Sequence, residues 1–526
     1  MDVMRQYEMN EWSFPGAEPE GSWAETDLTA DFTISGKTAA VRGFYAGNGT
    51  YRVRFYPEAA GVYQVRVTGT GLGGAECFEA ECLPAAEGKH GLVRADGTHF
   101  RCADGTWFCP FGTTVYALSH QEDGLVERTF AALSENPFNK VRMCIFPKHY
   151  DYNHNDPPCY AFLRKEGAPE EAAGYTADDP LQWDVHRPNP VFWDRLEGHI
   201  ARLGELGIQA DLILFHPYDR WGFSKFRREE AAVYLDYLTR RLSAFPNVWW
   251  SLANEYDLMD YQTADWLYFA QYIHDHDPYG HLLSNHEMII PWDYANENTT
   301  HICHQTRAVD MLSPEITKFG KPLMVDEMGY EGDLTQGWGN LSGRQLVRQF
   351  WQVCTQGGYA THGETFRNPD DIIWWAKGGT LTGDAPARIR FLREILEEIG
   401  GPLTFRGRDV TEEQFYAMRT RIPLSAAEGN PVLRLMLTAP WEQAKGLVLG
   451  SRAFFAGYGE QAFLKYYDLQ CVRTGTIELP ETGSYRIEVI GTWEMTRTVV
   501  RENANGTVEI DMPGREGMAI LAVRQD

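Results

Sequence analysis

Residues 247–254 read NVWWSLAN, and Glu255 follows. The run is short, apolar and aromatic, and it ends on a polar pair. Such a run reads as a strand buried on both faces, since a helix would need more length. Seven similar runs surround it: FCPFGTTVY (108–116), NKVRMCIF (139–146), QADLILFH (209–216), HLLSN (281–285), HICHQ (301–305), PLMVDE (322–327) and GGYATHGE (357–364). Amphipathic stretches separate most of them, such as NPVFWDRLEGHIARLGELG (189–207). The last, APARIRFLREILEEI (385–399), is closed by Gly400-Gly401-Pro402. Eight such units in about 300 residues predict a (β/α)8 barrel. A doubly wound open sheet is the alternative, but no Gly-rich phosphate loop follows the first run.

Outward from this core the pattern changes. Residues 1–88 alternate apolar and polar side chains, with turns at Gly47-Asn48-Gly49 and Ala59-Ala60-Gly61. They predict a β-sandwich ahead of a barrel at 89–402. Residues 403–526 return to strand-like runs, VLRLMLTAP, TGTIELP, GSYRIEVIGTWE and MAILAVR, and predict a second sandwich. The long gap from His149 to Pro190 is either a loop at the barrel's carboxyl face, where active sites are built, or a disordered insertion.

The 526 residues carry a formal net charge of -25, which excludes nucleic acid and anionic membranes as natural partners. No apolar run is long enough to span a membrane. The opening MDVMRQYEMNEW lacks the apolar core of a signal peptide, and nine scattered cysteines form no CxxC pair. Together they point to reduced thiols and a cytoplasmic protein. A neutral carbohydrate suits the charge, and an acidic one would need a local basic pocket. Aromatics at 13% suit both core packing and stacking on sugars.

Residues at the carboxyl ends of barrel strands share one mouth. The fourth strand delivers Asn254-Glu255 and the seventh Asp326-Glu327, from nearly opposite sides of the ring. Two carboxyl groups so placed can cleave a glycosidic bond, one protonating the leaving oxygen and the other attacking or activating water. Asp326, pointing the other way from Glu327, should make a structural hydrogen bond. Glu331 and Glu364 are rivals of Glu327.

NVWWSLANEYD and KPLMVDEMGYEG resemble the two motifs of clan GH-A, the "4/7" superfamily of retaining glycosidases. The resemblance implies Glu255 as acid/base, Glu327 as nucleophile and Asn254 on the sugar 2-hydroxyl. It also implies that Arg142 sits by the nucleophile and keeps it ionised, and that His216 binds sugar. His304 replaces the tyrosine that commonly ends strand six, and His362-Gly363-Glu364 stands where a tryptophan commonly ends strand eight. Trp375 follows shortly after. The whole chain resembles a bacterial group with an N-terminal sandwich (GFYAGNGTYRVRFYPEAAGVY), an apiosidase-like barrel (GLVRADGTHFRCADGTWFCPFGTT) and a C-terminal sandwich.

His216, His304, His362, Tyr116, Trp375 and Glu364 complete the expected substrate-binding set, with no metal and no cofactor. Two other readings stand beside the glycosidase: a metal-dependent barrel hydrolase built on the histidines, and a carbohydrate-binding protein with an inactive barrel. The flanking sandwiches would buttress the barrel, bind carbohydrate or form a homo-oligomer interface.

Overall fold

A computed structural model describes residues 2–168, 182–369, 372–407, 412–444 and 453–526. Eight short strands form one sheet: β1 (Phe111–Thr114), β2 (Lys140–Cys144), β3 (Gln209–Phe215), β4 (Val248–Ala253), β5 (Leu283–Ser284), β6 (Ile302–Gln305), β7 (Leu323–Glu327) and β8 (Tyr359–His362). Their order is β5-β4-β3-β2-β1-β8-β7-β6, and the registered pairs are parallel. Two hydrogen bonds carry the sheet toward closure between β5 and the chain entering β6. The Thr300 N–H donates to the Leu283 carbonyl at 2.8 Å, and the Ser284 hydroxyl to the His301 carbonyl at 2.7 Å. This is the predicted barrel. Strands β1 to β4 and β8 are buried along their whole length, which is why they read as continuous apolar runs.

The predicted helices form where their end signals lie. Helix Pro190–Glu205 starts on Asn189, whose side chain accepts the Val191 N–H at 3.2 Å. Helix Ala385–Ile399 stops at Gly400, which takes φ 77°. One expectation fails. VLRLMLTAP, read as a strand, lies in helix Pro431–Thr438. Asn430 caps it and Pro431 opens it, and these end signals outweigh the β-branched and apolar content of the run.

The chain divides into two compact units. The first holds 1–307, 316–341 and 361–383, and the second 308–315, 342–360 and 384–526. In the first, a five-stranded sheet, antiparallel except where Asp2–Arg5 pairs parallel with Glu76–Leu83, and an antiparallel three-stranded sheet enclose Phe32, Val53, Val65 and Val67. Gly47, Asn48 and Gly49, at φ 93°, 51° and 68°, turn the chain between two of these strands. In the second, six strands from Thr404–Gly407 to Met518–Arg524 make an antiparallel sheet. A two-stranded sheet accompanies it, over a core that includes Tyr485, Ile487 and Ile520. Of the long 147–190 connection, 169–181 lie outside the described residues; Phe162–Arg164 and Trp183–Pro188 pair antiparallel.

The first unit is fastened by a buried ionic cluster. Arg54, on the N-terminal strand Thr50–Phe55, forks both Glu197 oxygens at 2.7 Å, and Arg241 meets the same carboxylate at 2.5 and 2.8 Å. Glu197 and Arg241 belong to helices Pro190–Glu205 and Arg228–Leu242 of the barrel layer. Burial raises the Glu197 pKa, but the two guanidinium groups win and hold it at about 2. Glu197→Gln leaves two buried cations short of a carboxylate. We expect a loss of about 3–5 kcal/mol in denaturant unfolding. The folded value lies below the ordinary Glu value of about 4.3. The wild-type contribution is therefore full above that pH and fades as pH falls towards 2, so the difference between variant and wild type should shrink on acidification.

Candidate active site

At the carboxyl ends of the strands lies a cavity of about 300 Å³. Asn254, Glu255 and Glu327 line it, with an aromatic wall that includes Tyr116, Tyr218, Trp338 and Trp375. Glu255 is the residue at which β4 breaks into the following turn. It takes a left-handed backbone (φ 55°, ψ 57°), uncommon outside glycine and costing roughly 1–2 kcal/mol. Hydrogen bonds to the loop after β5 hold it there. The Glu255 N–H donates to His286 Nδ1 at 3.3 Å, and the Tyr256 N–H to the His286 carbonyl at 2.9 Å. The Tyr218 hydroxyl donates to the Glu255 carboxylate.

His286 stands between the two glutamates. Its Nδ1 is used as an acceptor, so the neutral ring carries its proton on Nε2, which lies 3.8 Å from Glu327 Oε1. Full burial, and then the charge of Arg142, push the His286 pKa well below its usual value, so the ring stays neutral. The Tyr116 hydroxyl donates to Glu327, and it also lies 3.0 Å from Asn254 Oδ1. Arg142 Nη2 reaches the same Oδ1 at 3.3 Å, which leaves the Asn254 amide as the donor for the cavity. Tyr116, at the end of β1, thus supplies the nucleophile contact that clan GH-A draws from strand six.

Arg142 is fully buried and lies beneath the cavity. Its hydrogen bonds run to Ser251 (3.0 Å) and Asn254, and its charge faces Asp211 (3.5 Å) and Asp326 (4.0 Å). It acts on Glu327 through space only. The cation that weighs more on Glu327 is Lys148, which lines the cavity and which the sequence reading missed. Its ammonium lies 3.5 Å from the Tyr116 ring centre and 4.4 Å from that of Tyr218, with Trp375 at 5.3 Å. Burial, and then the charge of Glu255, push the Glu327 pKa up; Lys148 opposes this first, followed by the Tyr116 hydrogen bond and Arg142.

Tyr116 and Trp375 line the cavity as expected, with Asn254 and the two glutamates. Besides Arg142, four expected residues do not. His216 Nε2 lies 3.1 Å from the Phe146 carbonyl, and His304 Nδ1 lies 2.6 Å from Glu287. His362 stacks on Phe138 and meets Thr113 at 3.0 Å. Glu364 accepts from Thr382 and Gly383. The bonds named for each run to the barrel's own loops and strands. Asp326 makes the expected structural bonds, accepting from Lys140, Thr361 and Cys303. Among the described residues, one group could hold a metal. Glu331, His362 and Glu364 bring ligand atoms within 4.8 Å of one another, and none of the three lines the cavity.

A model of the apiosidase-like catalytic domain matches residues 88–379, more than half of the chain. The chain belongs to the apiosidase-like family. Two domains of unknown function match on either side, DUF5060 over 3–69 and DUF5605 over 452–523. A solved protein of Bacteroides vulgatus ATCC 8482, named as a candidate glycoside hydrolase, is 30% identical over 100% of both chains, with a TM-score of 0.84. A glycoside hydrolase family 5 structure from the same organism shares the fold at 14% identity, over 83% of this chain and 94% of that one (TM-score 0.58). A comparison with curated proteins finds no match. Family and fold together mark this apiosidase-like protein as a glycosidase. No helix among the described residues is long and apolar enough to cross a membrane.

Lys148 opposes the upward push on Glu327. Lys148→Met should therefore raise the Glu327 pKa and move the acidic limb of the kcat/KM profile to higher pH. Lys148→Arg should restore it in part. An acidic limb that stays in place in Lys148→Met would assign Lys148 to packing alone.

Proposed function

We propose that this protein is a retaining, exo-acting glycosidase for a neutral glycoside or short oligosaccharide, with its catalytic barrel at 89–402 between sandwiches at 1–88 and 403–526. The observation that carries the reading is the pairing of Glu255 and Glu327 in one cavity, each with its own tyrosine donor. Glu327 attacks the anomeric carbon as Glu255 gives its proton to the leaving oxygen. The glycosyl-enzyme forms, and Glu255, now a base, takes a proton from the water that releases the sugar with net retention. Asn254, through its free amide, holds the hydroxyl beside the reacting carbon.

The cavity volume stands at the lower limit of ligand sites, about 300–1,000 Å³, which favours a short substrate. Lys148 and Tyr150, from the loop after β2, narrow one side of it and support exo action. The metal-dependent reading gains nothing from the Glu331, His362 and Glu364 group, because an ion there would not touch a substrate in the cavity. The inactive-barrel reading has to leave two catalytically paired glutamates without a task.

Glu255→Ala should lose turnover of poor leaving groups yet keep part of the first step on activated aryl glycosides. Azide should then yield a glycosyl azide of retained configuration, read by NMR. If Glu327→Gly gives that retained azide instead, the two roles are exchanged. Prolonged chelation should leave wild-type kcat unchanged. Loss on chelation with recovery on zinc would favour the metal-dependent reading.

A further inference from the structure

The loop after β5 presents apolar side chains to solvent at the rim of this cavity. Met288, Ile289 and Ile290 are 39%, 76% and 59% exposed, and Leu258, beside Asp257, is 47% exposed. Among the described residues this is the only run of three consecutive exposed large hydrophobics. Single exposed hydrophobics are ordinary, whereas a contiguous patch marks a binding surface.

The ridge is built and held. The Asp257 carboxylate accepts three successive backbone N–H groups, from Met288 at 2.7 Å and from Ile289 and Ile290 at 2.8 Å each. Partial burial raises the Asp257 pKa, but these bonds outweigh it and keep the carboxyl ionised. The Tyr256 hydroxyl donates to the Ile290 carbonyl at 3.0 Å. Asp257 and Tyr256 directly follow Glu255, so the acid/base and the ridge share one anchor. Met288 is the residue through which this loop enters the cavity wall.

Chemistry decides which part of the substrate meets the ridge. The group that protonates the leaving oxygen stands beside the leaving group. A second sugar there would present hydroxyls that need partners, and the side chains of Met288, Ile289, Ile290 and Leu258 have no donors. We propose that the leaving-group subsite is this apolar ridge, and that it takes an alkyl or aryl aglycone rather than another sugar. The proposal rests on the glycosidase reading above and names the substrate class of that site.

The test has two stages. A panel of p-nitrophenyl glycosides identifies the sugar. Methyl, butyl, hexyl and octyl glycosides of that sugar are then compared below their micelle-forming concentrations. Alkanol leaving groups differ little in acidity, so the series reads binding of the chain rather than chemistry. We expect kcat/KM to rise by about 2- to 4-fold per methylene until the ridge is covered, chiefly through KM. In an Ile289→Ser/Ile290→Ser variant the octyl-to-methyl ratio should fall towards one, with an unchanged melting temperature showing an intact fold. Cleavage of aryl glycosides with a flat wild-type alkyl series, or preference for a disaccharide over the octyl glycoside, overturns the apolar subsite alone. No cleavage across the panel overturns the glycosidase reading and the subsite with it. A flat series together with a dimer that the variant breaks, measured by sedimentation, assigns the ridge to a second copy of the chain and also overturns the proposal.

Discussion

Two cations buried in the barrel interior set the geometry of everything above them. Lys140 and Arg142 lie two residues apart on β2, and both are fully shielded from water. Lys140 is matched by Asp211 at 2.6 Å and Asp326 at 2.8 Å, and Arg142 by the same two carboxylates at longer range. Removing charges from water costs several kcal/mol per ion, and only close, fully bonded partners offset it. The register of β2 against β3 and the rotation of β7 are therefore tightly constrained. The pairing of β6 with β7 shifts register at Asp326, His304 facing Val325 and Gln305 facing Glu327. With Asp326 committed to the interior, Glu327 is delivered to the mouth. The same Arg142 grips Asn254, so the orientation of the sugar-facing amide depends on this cluster too.

The parts of this architecture legible in the sequence were those with a period or an end signal. Eight apolar runs separated by amphipathic ones define a barrel because each strand is wrapped on both faces. Asn254-Glu255 and Asp326-Glu327 were legible because they terminate such runs. Lys148 and Tyr218 were not, because they sit in the turns just beyond β2 and β3, where no periodicity says which side chain faces inward. Tyr218 is two residues past His216, in HPYDRW, and it faces the cavity while the histidine bonds to the Phe146 carbonyl. The helix at 431–438 shows the opposite error, where apolar content was weighed above an Asn-Pro start.

The exchange of roles between Arg142 and Lys148 follows from where each charge is spent. Arg142 is the stronger base, but its guanidinium is enclosed by Asp211, Asp326, Ser251 and Asn254, and little of its field reaches Glu327. Lys148 is held by aromatic faces, which attract a cation without neutralising it. Its charge therefore remains available to the carboxylates across the cavity. Its own pKa is lowered by burial, and Cys144, then Glu255 and Glu327, oppose that shift. The ammonium and the carboxylate pair thus sustain one another.

The left-handed turn at Glu255 links catalysis to recognition. A residue strained in that way persists only where its surroundings over-determine it. Here the surroundings are the loop after β5, through His286 on one side and the Asp257 anchor on the other. Any movement of that loop would reach the acid/base backbone and the exposed ridge together, since both hang on the segment 255–257. A leaving group resting on Ile289 and Ile290 would brace the loop from outside, just where the strained backbone needs holding. Its binding energy would then be spent partly on keeping the Glu255 carboxyl aligned with the bond it protonates, a contribution to the transition state rather than to ground-state affinity alone.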